Sequence, residues 1–188
     1  MVPAKIAPLH KEWAKYLRDK VPGESRVQRY YDEGEKHQID IFTSRNDEGT
    51  VAATVGLMDH DQSQNPAVSV FTEILMDAKG PNSVISNVLS TIAFFVIKDG
   101  WKVRPGAIFE KMIEMYDAEL SVKHVMFAPP FQWDNGMTKV QLSTKTIYPL
   151  LAVPITDAER DYAFINGTDA LENRWAHDHV DVLDWGRH

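Results

Sequence analysis

The sequence predicts an α+β fold, with a mixed, mostly antiparallel sheet packed with helices. Three observations carry that expectation. Helical and strand-like periodicities fall in separate runs, in the order helix, strands, helices, strands, helices; a doubly wound fold would alternate them one by one. Clusters of Gly, Pro, Asn and Asp separate the runs. The 188 residues are 44% hydrophobic and include five Trp, eight Phe and six Tyr, ample material for a core. The expected organisation is one domain over residues 1–188, with 1–25 a helical lead-in and 156–188 an acidic helical segment.

Leu9, Trp13, Tyr16 and Leu17 recur at helical spacing and predict a helix over Leu9–Asp19, stopped by Val21-Pro22-Gly23. Strands follow at Val27–Tyr31 and Ile39–Thr43, separated by the turn Asp32-Glu33-Gly34-Glu35. Asn46-Asp47-Glu48-Gly49 is a hairpin connection to a strand over Thr50–Met58, with Gly56 inside it as a bulge or close approach. After a polar loop, Val68–Met76 is apolar on both alternating faces, as a strand covered on both sides would be. Asn82 or Ser83 caps a helix carrying the stripe Val84, Val88, Ile92 and Phe95, which Gly100 ends. Pro105-Gly106 is expected to open a shorter helix with Phe109, Met112, Ile113 and Tyr116 on its buried face. Strands return at His124–Ala128 and, after the turn Asp134-Asn135-Gly136, at Thr138–Thr144 with Val140 and Leu142 inward. Ile147–Ile155 carries Pro149 and Pro154 and is expected to lie at a sheet edge or to run irregularly. Thr156-Asp157-Ala158-Glu159 has the form of a capping box, opening a helix to about Ile165, and Leu171 and Trp175 mark a last one beyond Gly167.

The formal net charge is −7, and residues 151–188 hold eight acidic against three basic side chains. Such a surface repels phosphate backbones and attracts basic partners. With no cysteine, thiol catalysis, disulfides and thiolate metal sites are excluded. Met1–Ile6 lacks an apolar signal core, and the apolar stretch Ile85–Ile97 is too short and too often interrupted to span a bilayer. A cytoplasmic protein with no membrane or nucleic-acid partner is expected.

Side chains able to do chemistry are few. His177 and His179, with Asp181 near, are the densest candidate metal ligands, but no third ligand stands at a recognisable spacing. Asp59-His60-Asp61 pairs a histidine with carboxylates in a polar loop. Glu73 lies mid-strand between Phe71 and Leu75; if buried it needs a partner, and Lys98 and Arg104 are the candidates for a structural ion pair. Asp32-Glu33-Gly34-Glu35 reads as a solvated turn. No Gly-x-Ser-x-Gly or glycine-rich phosphate loop is present. No catalytic residue, metal or cofactor is assigned.

Several segments, by their order and spacing, resemble the suppressor-of-fused domain family. They are Tyr31-Asp32-x-Gly34-Glu35 leading to Ile39-Asp40-Ile41-Phe42, then Thr54-Val55-Gly56-Leu57, Phe71-Thr72-Glu73-Ile74-Leu75, Pro105-Gly106, and Leu151 through Glu159. The resemblance runs from about Arg26 to Trp185 and points to the stand-alone bacterial, YqcF-like type. It implies a suppressor-of-fused-like sheet and a non-enzymatic immunity protein, an antitoxin that binds and neutralises a polymorphic toxin, expected to be a basic nuclease. An adaptor that sequesters an endogenous regulator and a metal-dependent hydrolase are the alternatives. Family catalytic residues do not exist to be carried over. The candidate partner contacts are Asp161, Asp178, Asp181 and Asp184, with Trp133 and Trp185 as candidate anchors for which core packing is the competing role.

Overall fold

The computed structural model describes residues 6–65, 67–133 and 137–187. The elements are α1 (Pro8–Lys20), β1 (Glu24–Tyr31), β2 (Gln38–Arg45), β3 (Gly49–Val55), a 3₁₀ turn (Leu57–Asp59), β4 (Ile74–Lys79), α2 (Ile85–Asp99), β5 (Ile108–Phe109), β6 (Val122–Ala128), β7 (Val140–Gln141), β8 (Thr146–Ile147), β9 (Leu150–Thr156), α3 (Asp157–Asn166) and α4 (Thr168–Asp178). Seven strands form one sheet in the order β1-β2-β3-β4-β9-β6-β5, and β7-β8 is a separate ribbon. All recorded pairings in the large sheet are antiparallel except β4–β9. The α+β class and the mostly antiparallel sheet are as the sequence predicts.

Alternation along the strands sends side chains to two cores. Ile74 and Met76 of β4 join Val88, Leu89 and Ile92 of α2 on one face. Leu75 joins Trp13 and Leu17 of α1, Val140 and Leu142, and Leu171 and Trp175 of α4 on the other. Proline at the first turn starts α1 without a side-chain cap, and the buried Trp13 indole donates to Thr54 O at 2.9 Å. At the β2–β3 turn, Asn46 Oδ1 accepts from Glu48 N and Gly49 N, which is why asparagine serves there. Asn82 Oδ1 likewise accepts from Val84 N and Ile85 N at the start of α2, and Gly100 closes that helix at φ +69°.

Four expectations need correction. Gly56 ends β3 and does not lie inside a strand; its φ of +115° turns the chain into Leu57–Asp59. The strand expected over Val68–Met76 begins only at Ile74, and Val68 is exposed. Pro105-Gly106 opens no helix. Gly106 stands at φ +79° and Ala107 N donates to Arg104 O, which are the marks of a type II turn with proline at its second position. The apolar residues after it enter β5 and a series of turns, in which Phe109, Met112 and Ile113 are buried while Tyr116 is not.

The fourth correction concerns the edge placement of Ile147–Ile155: β9 is central, while the irregular run appears at Pro149, between the end of β8 at Ile147 and the start of β9 at Leu150. Its ladder with β4 covers Ile74–Leu150 and Leu75–Leu151, so Pro154 lies beyond the residues where an N–H toward β4 is used. The chain's end occupies the flank these strands leave: Trp185 Nε1 donates to Asp77 O, Lys79 N to Leu183 O, and Arg187 Nη2 to Pro154 O. Half of the Thr138–Thr144 expectation holds. Val140 and Leu142 are buried and Gln141 is exposed, but regular pairing covers only Val140–Gln141. The turn expected at Asp134-Asn135-Gly136 lies outside the described residues.

Candidate partner-binding surfaces

The acidic C-terminal residues are exposed but locally paired. Asp161 on α3 binds Arg160 at 2.7 Å. Asp178, at the end of α4, accepts from Arg174 at 3.4 Å and from the His177 ring at 2.7 Å. Asp181 binds Lys79 Nζ at 2.9 Å, and Asp184 Oδ1 accepts from Gly186 N in a turn. These carboxylates do not converge on one spot. Trp185 is 5% exposed, because its indole fills the core side of the closing segment; it is unavailable as a surface anchor. Trp133 is half-buried and packs against the second core.

His177 is spent on its neighbour Asp178, and His179 caps α4 at φ +53°. Among the described residues, no group of three or more His, Asp or Glu gathers as metal ligands would. Asp59 is shared between His10 Nε2 at 2.8 Å and Lys145 Nζ at 3.6 Å, tying α1 to the 3₁₀ turn. The Asp32 turn is less solvated than expected. The Asp32 carboxylate is buried and accepts from the backbone and ring of His37, from Lys36 N and, at 3.5 Å, from Lys98 Nζ. Those His37 hydrogen bonds above all hold it well below the usual carboxylate range.

Glu73 is fully buried, as its position in the sequence suggested, but its partner is no cation. Oε1 accepts from Gly56 N at 2.8 Å and Met58 N at 3.1 Å, and Oε2 pairs with Thr54 Oγ1. Lys98 has gone to Asp32 instead. Burial pushes the Glu73 carboxyl up to about 8, against the pull of these hydrogen bonds. The group fastens the chain reversal after β3 to the start of β4.

Two concavities bear on partner binding, and no motif announces either. The first, about 570 Å³, is mostly apolar and lies between Gln62, Asn65, Val68 and Val70 on one side and the segments Lys102–Pro105 and Tyr148–Leu150 on the other. Gln62 Oε1 accepting from Val103 N, and Lys102 Nζ donating to Asp61 O, hold its two walls together. The second, about 750 Å³, runs between the β2–β3 turn and the closing segment, lined by Asp47, Glu48, Val51, Asp77, Lys79, Trp133, Asp181 and Leu183 among others. Asp181 and Trp133 are the only two of the sequence-predicted contacts that meet there. Asp47, Glu48 and Asp77 come from distant segments, and only topology unites them. Burial raises Asp77 to about 6, with the Asp181 charge adding to the effect.

Comparison with known proteins places the chain. The sequence model of the family described as "Suppressor of fused protein (SUFU)" matches residues 35–188. This chain belongs to the suppressor of fused family. It is 33% identical over 166 residues to the immunity protein YqcF of Bacillus subtilis (strain 168), covering 86% of each chain. In structure it is similar to a SUFU homolog from Neisseria gonorrhoeae FA 1090, with a TM-score of 0.67 at 14% identity over 95% of this chain and 91% of the other. A chain of the Sufu–Fu complex aligns with a TM-score of 0.61 at 11% identity, over 87% of this chain and 80% of the other. The suppressor-of-fused likeness read from Ile39–Phe42, Thr54–Leu57 and Leu151–Glu159 is confirmed.

Proposed function

We propose that this suppressor-of-fused protein is a non-enzymatic, cytoplasmic immunity protein that binds and neutralises a cognate polymorphic toxin, a basic nuclease domain. The observation that carries the reading is the 33% identity, over 86% of each chain, to a protein named for immunity. The physical arrangement suits it. Asp161, Asp181, His124 with Asp157 and His177 with Asp178 are engaged in local pairs, as in a rigid scaffold whose product is a surface. A nuclease must carry a positive cleft to hold phosphates. A protein of net charge −7 is drawn to such a cleft over distances near the Debye length, which speeds capture. Slow release then depends on apolar contact in a concavity.

Co-expression tests this directly. Cells producing the toxin encoded beside this protein's gene should survive when the protein is present, and the two should copurify one to one. If the toxin stays lethal with the protein abundant and folded, the immunity reading is wrong. An endogenous regulator recovered in the toxin's place would favour an adaptor.

A further inference from the structure

We propose that the groove between the β2–β3 turn and the closing segment is the seat of a basic segment of the partner, one carrying lysine or arginine side chains beside apolar ones. The inference rests on the immunity reading for who the partner is, but on the groove alone for what it takes.

The rim is acidic and unneutralised. Asp47 and Glu48 project from the tip of the turn, exposed, and form no ion pair among the described residues. Deeper in the groove, Asp77 forms no ion pair among the described residues. Lys79 is the one basic residue among the described lining residues, and its ammonium is engaged with Asp181 at 2.9 Å. The floor is different in kind. Val51, Leu183 and the half-buried Trp133 present an apolar surface below those carboxylates. A lysine or arginine stem lies well on such a surface with its charged head at the acidic rim, and an indole face attracts that head further. An acidic or wholly apolar segment would leave Asp77 without a counter-charge, and a second copy of this chain would bring like charge to the rim.

The groove is also held in shape before anything binds. Gly80 N donates to Glu48 O across one end, and Lys79 N to Leu183 O along the side. Main-chain bonds of this kind limit the ordering cost on binding. The Gln132 carboxamide lines the same space, shielded from solvent, with no partner for either polar atom among the described residues.

The test uses the full protein and a fluorescent nonapeptide of alternating arginine and leucine, with a glutamate–leucine peptide as control. Binding of the basic peptide should perturb the amide resonances of Gly49, Val51, Gly80 and Leu183, and the Asp47→Lys/Glu48→Lys variant should bind at least tenfold more weakly. Both positions are exposed at a turn, so an unchanged denaturation midpoint verifies the fold. Asp99→Lys/Glu119→Lys, at two exposed positions outside the groove lining, makes the same change in net charge and should stay within twofold of the parent. Perturbations mapping elsewhere, or equal weakening by both variants, would overturn the groove and leave only general charge attraction. Toxin rescue separates the two proposals. Rescue that survives Asp47→Lys/Glu48→Lys defeats the groove as the toxin's seat and leaves immunity standing. Retained peptide binding by a protein that protects against no toxin defeats immunity and leaves the groove.

Discussion

Glu73 exposes the limit of reading a residue from its neighbours in sequence. A carboxylate mid-strand among apolar side chains announces burial, and Glu73 is 0% exposed. Its partners do not announce themselves, because backbone N–H groups carry no letter. Gly56 leaves a faint mark: only its positive φ lets Gly56 N and Met58 N face one oxygen. The energetic consequence depends on pH. Burial raises the folded carboxyl to about 8, above the ordinary value of about 4.3. Between those two values the unfolded chain gives up its proton while the folded one keeps it, so stability falls as pH rises, levelling off above pH 8. Glu73→Gln keeps the acceptor for both N–H groups and removes the titration. Its stability in urea should lie within about 1 kcal/mol of the parent at pH 7 and lose the parent's decline above pH 6, the range beyond the titration of Asp77. Glu73→Ala orphans buried donors and should cost about 2 kcal/mol or more at every pH. A parent midpoint that rises from pH 5 to pH 9 would reject a protonated Glu73.

At the scale of elements, local signals with a mechanism were legible and context-dependent ones were not. The capping box is present in full: Glu159 N donates to Thr156 Oγ1, and Thr156 N to Glu159 Oε2. Helical spacing at Phe109, Met112, Ile113 and Tyr116 misled, because β5 pairs with Met126 and Val125 and a type II turn precedes it. Pro154 misled because only tertiary structure reveals that the β4–β9 ladder ends at Leu151. Glu159 also does more than cap. It accepts from Trp175 Nε1 at 2.7 Å and from Arg187 Nη2 at 3.1 Å, tying α3 to α4 and to the chain's end. Thr156→Ala should therefore cost about 1 kcal/mol, the loss of one cap. Glu159→Ala should cost at least twice as much, since Trp175 and Arg187 lose a partner together with the cap. Thermal unfolding of the two variants side by side checks the ranking. Equal losses would mean that Glu159 acts as a cap alone. Gly106→Ala meets two obstacles, a φ of +79° and Thr168 Oγ1 standing 2.6 Å from the new Cβ, and about 1–3 kcal/mol of destabilisation is expected.

For the whole molecule, the acidic C-terminal stretch changes meaning once its contacts are known. As sequence, residues 156–188 read as an acidic helical segment in which Trp185 is either a core residue or an exposed anchor. As structure, residues 178–185 close the fold. Trp185 sits in the core shared by α2 and the sheet, and its N–H is spent on Asp77 O. The binding face is correspondingly assembled from segments far apart in the chain, which is why Asp47 and Glu48 escaped notice beside Asp181. Structural and binding roles here make opposite predictions for one residue. Trp185→Ala should lower stability by about 3–5 kcal/mol, as the loss of a buried aromatic side chain does. At a temperature where the variant remains folded, its affinity for the proposed toxin should stay within a few-fold of the parent, because the indole is buried in the core. A direct contact would show the reverse, with an almost unchanged unfolding midpoint and a dissociation rate raised a hundredfold or more, as loss of a central aromatic anchor does. Unfolding by denaturant and toxin dissociation measured on the same preparation decide between them.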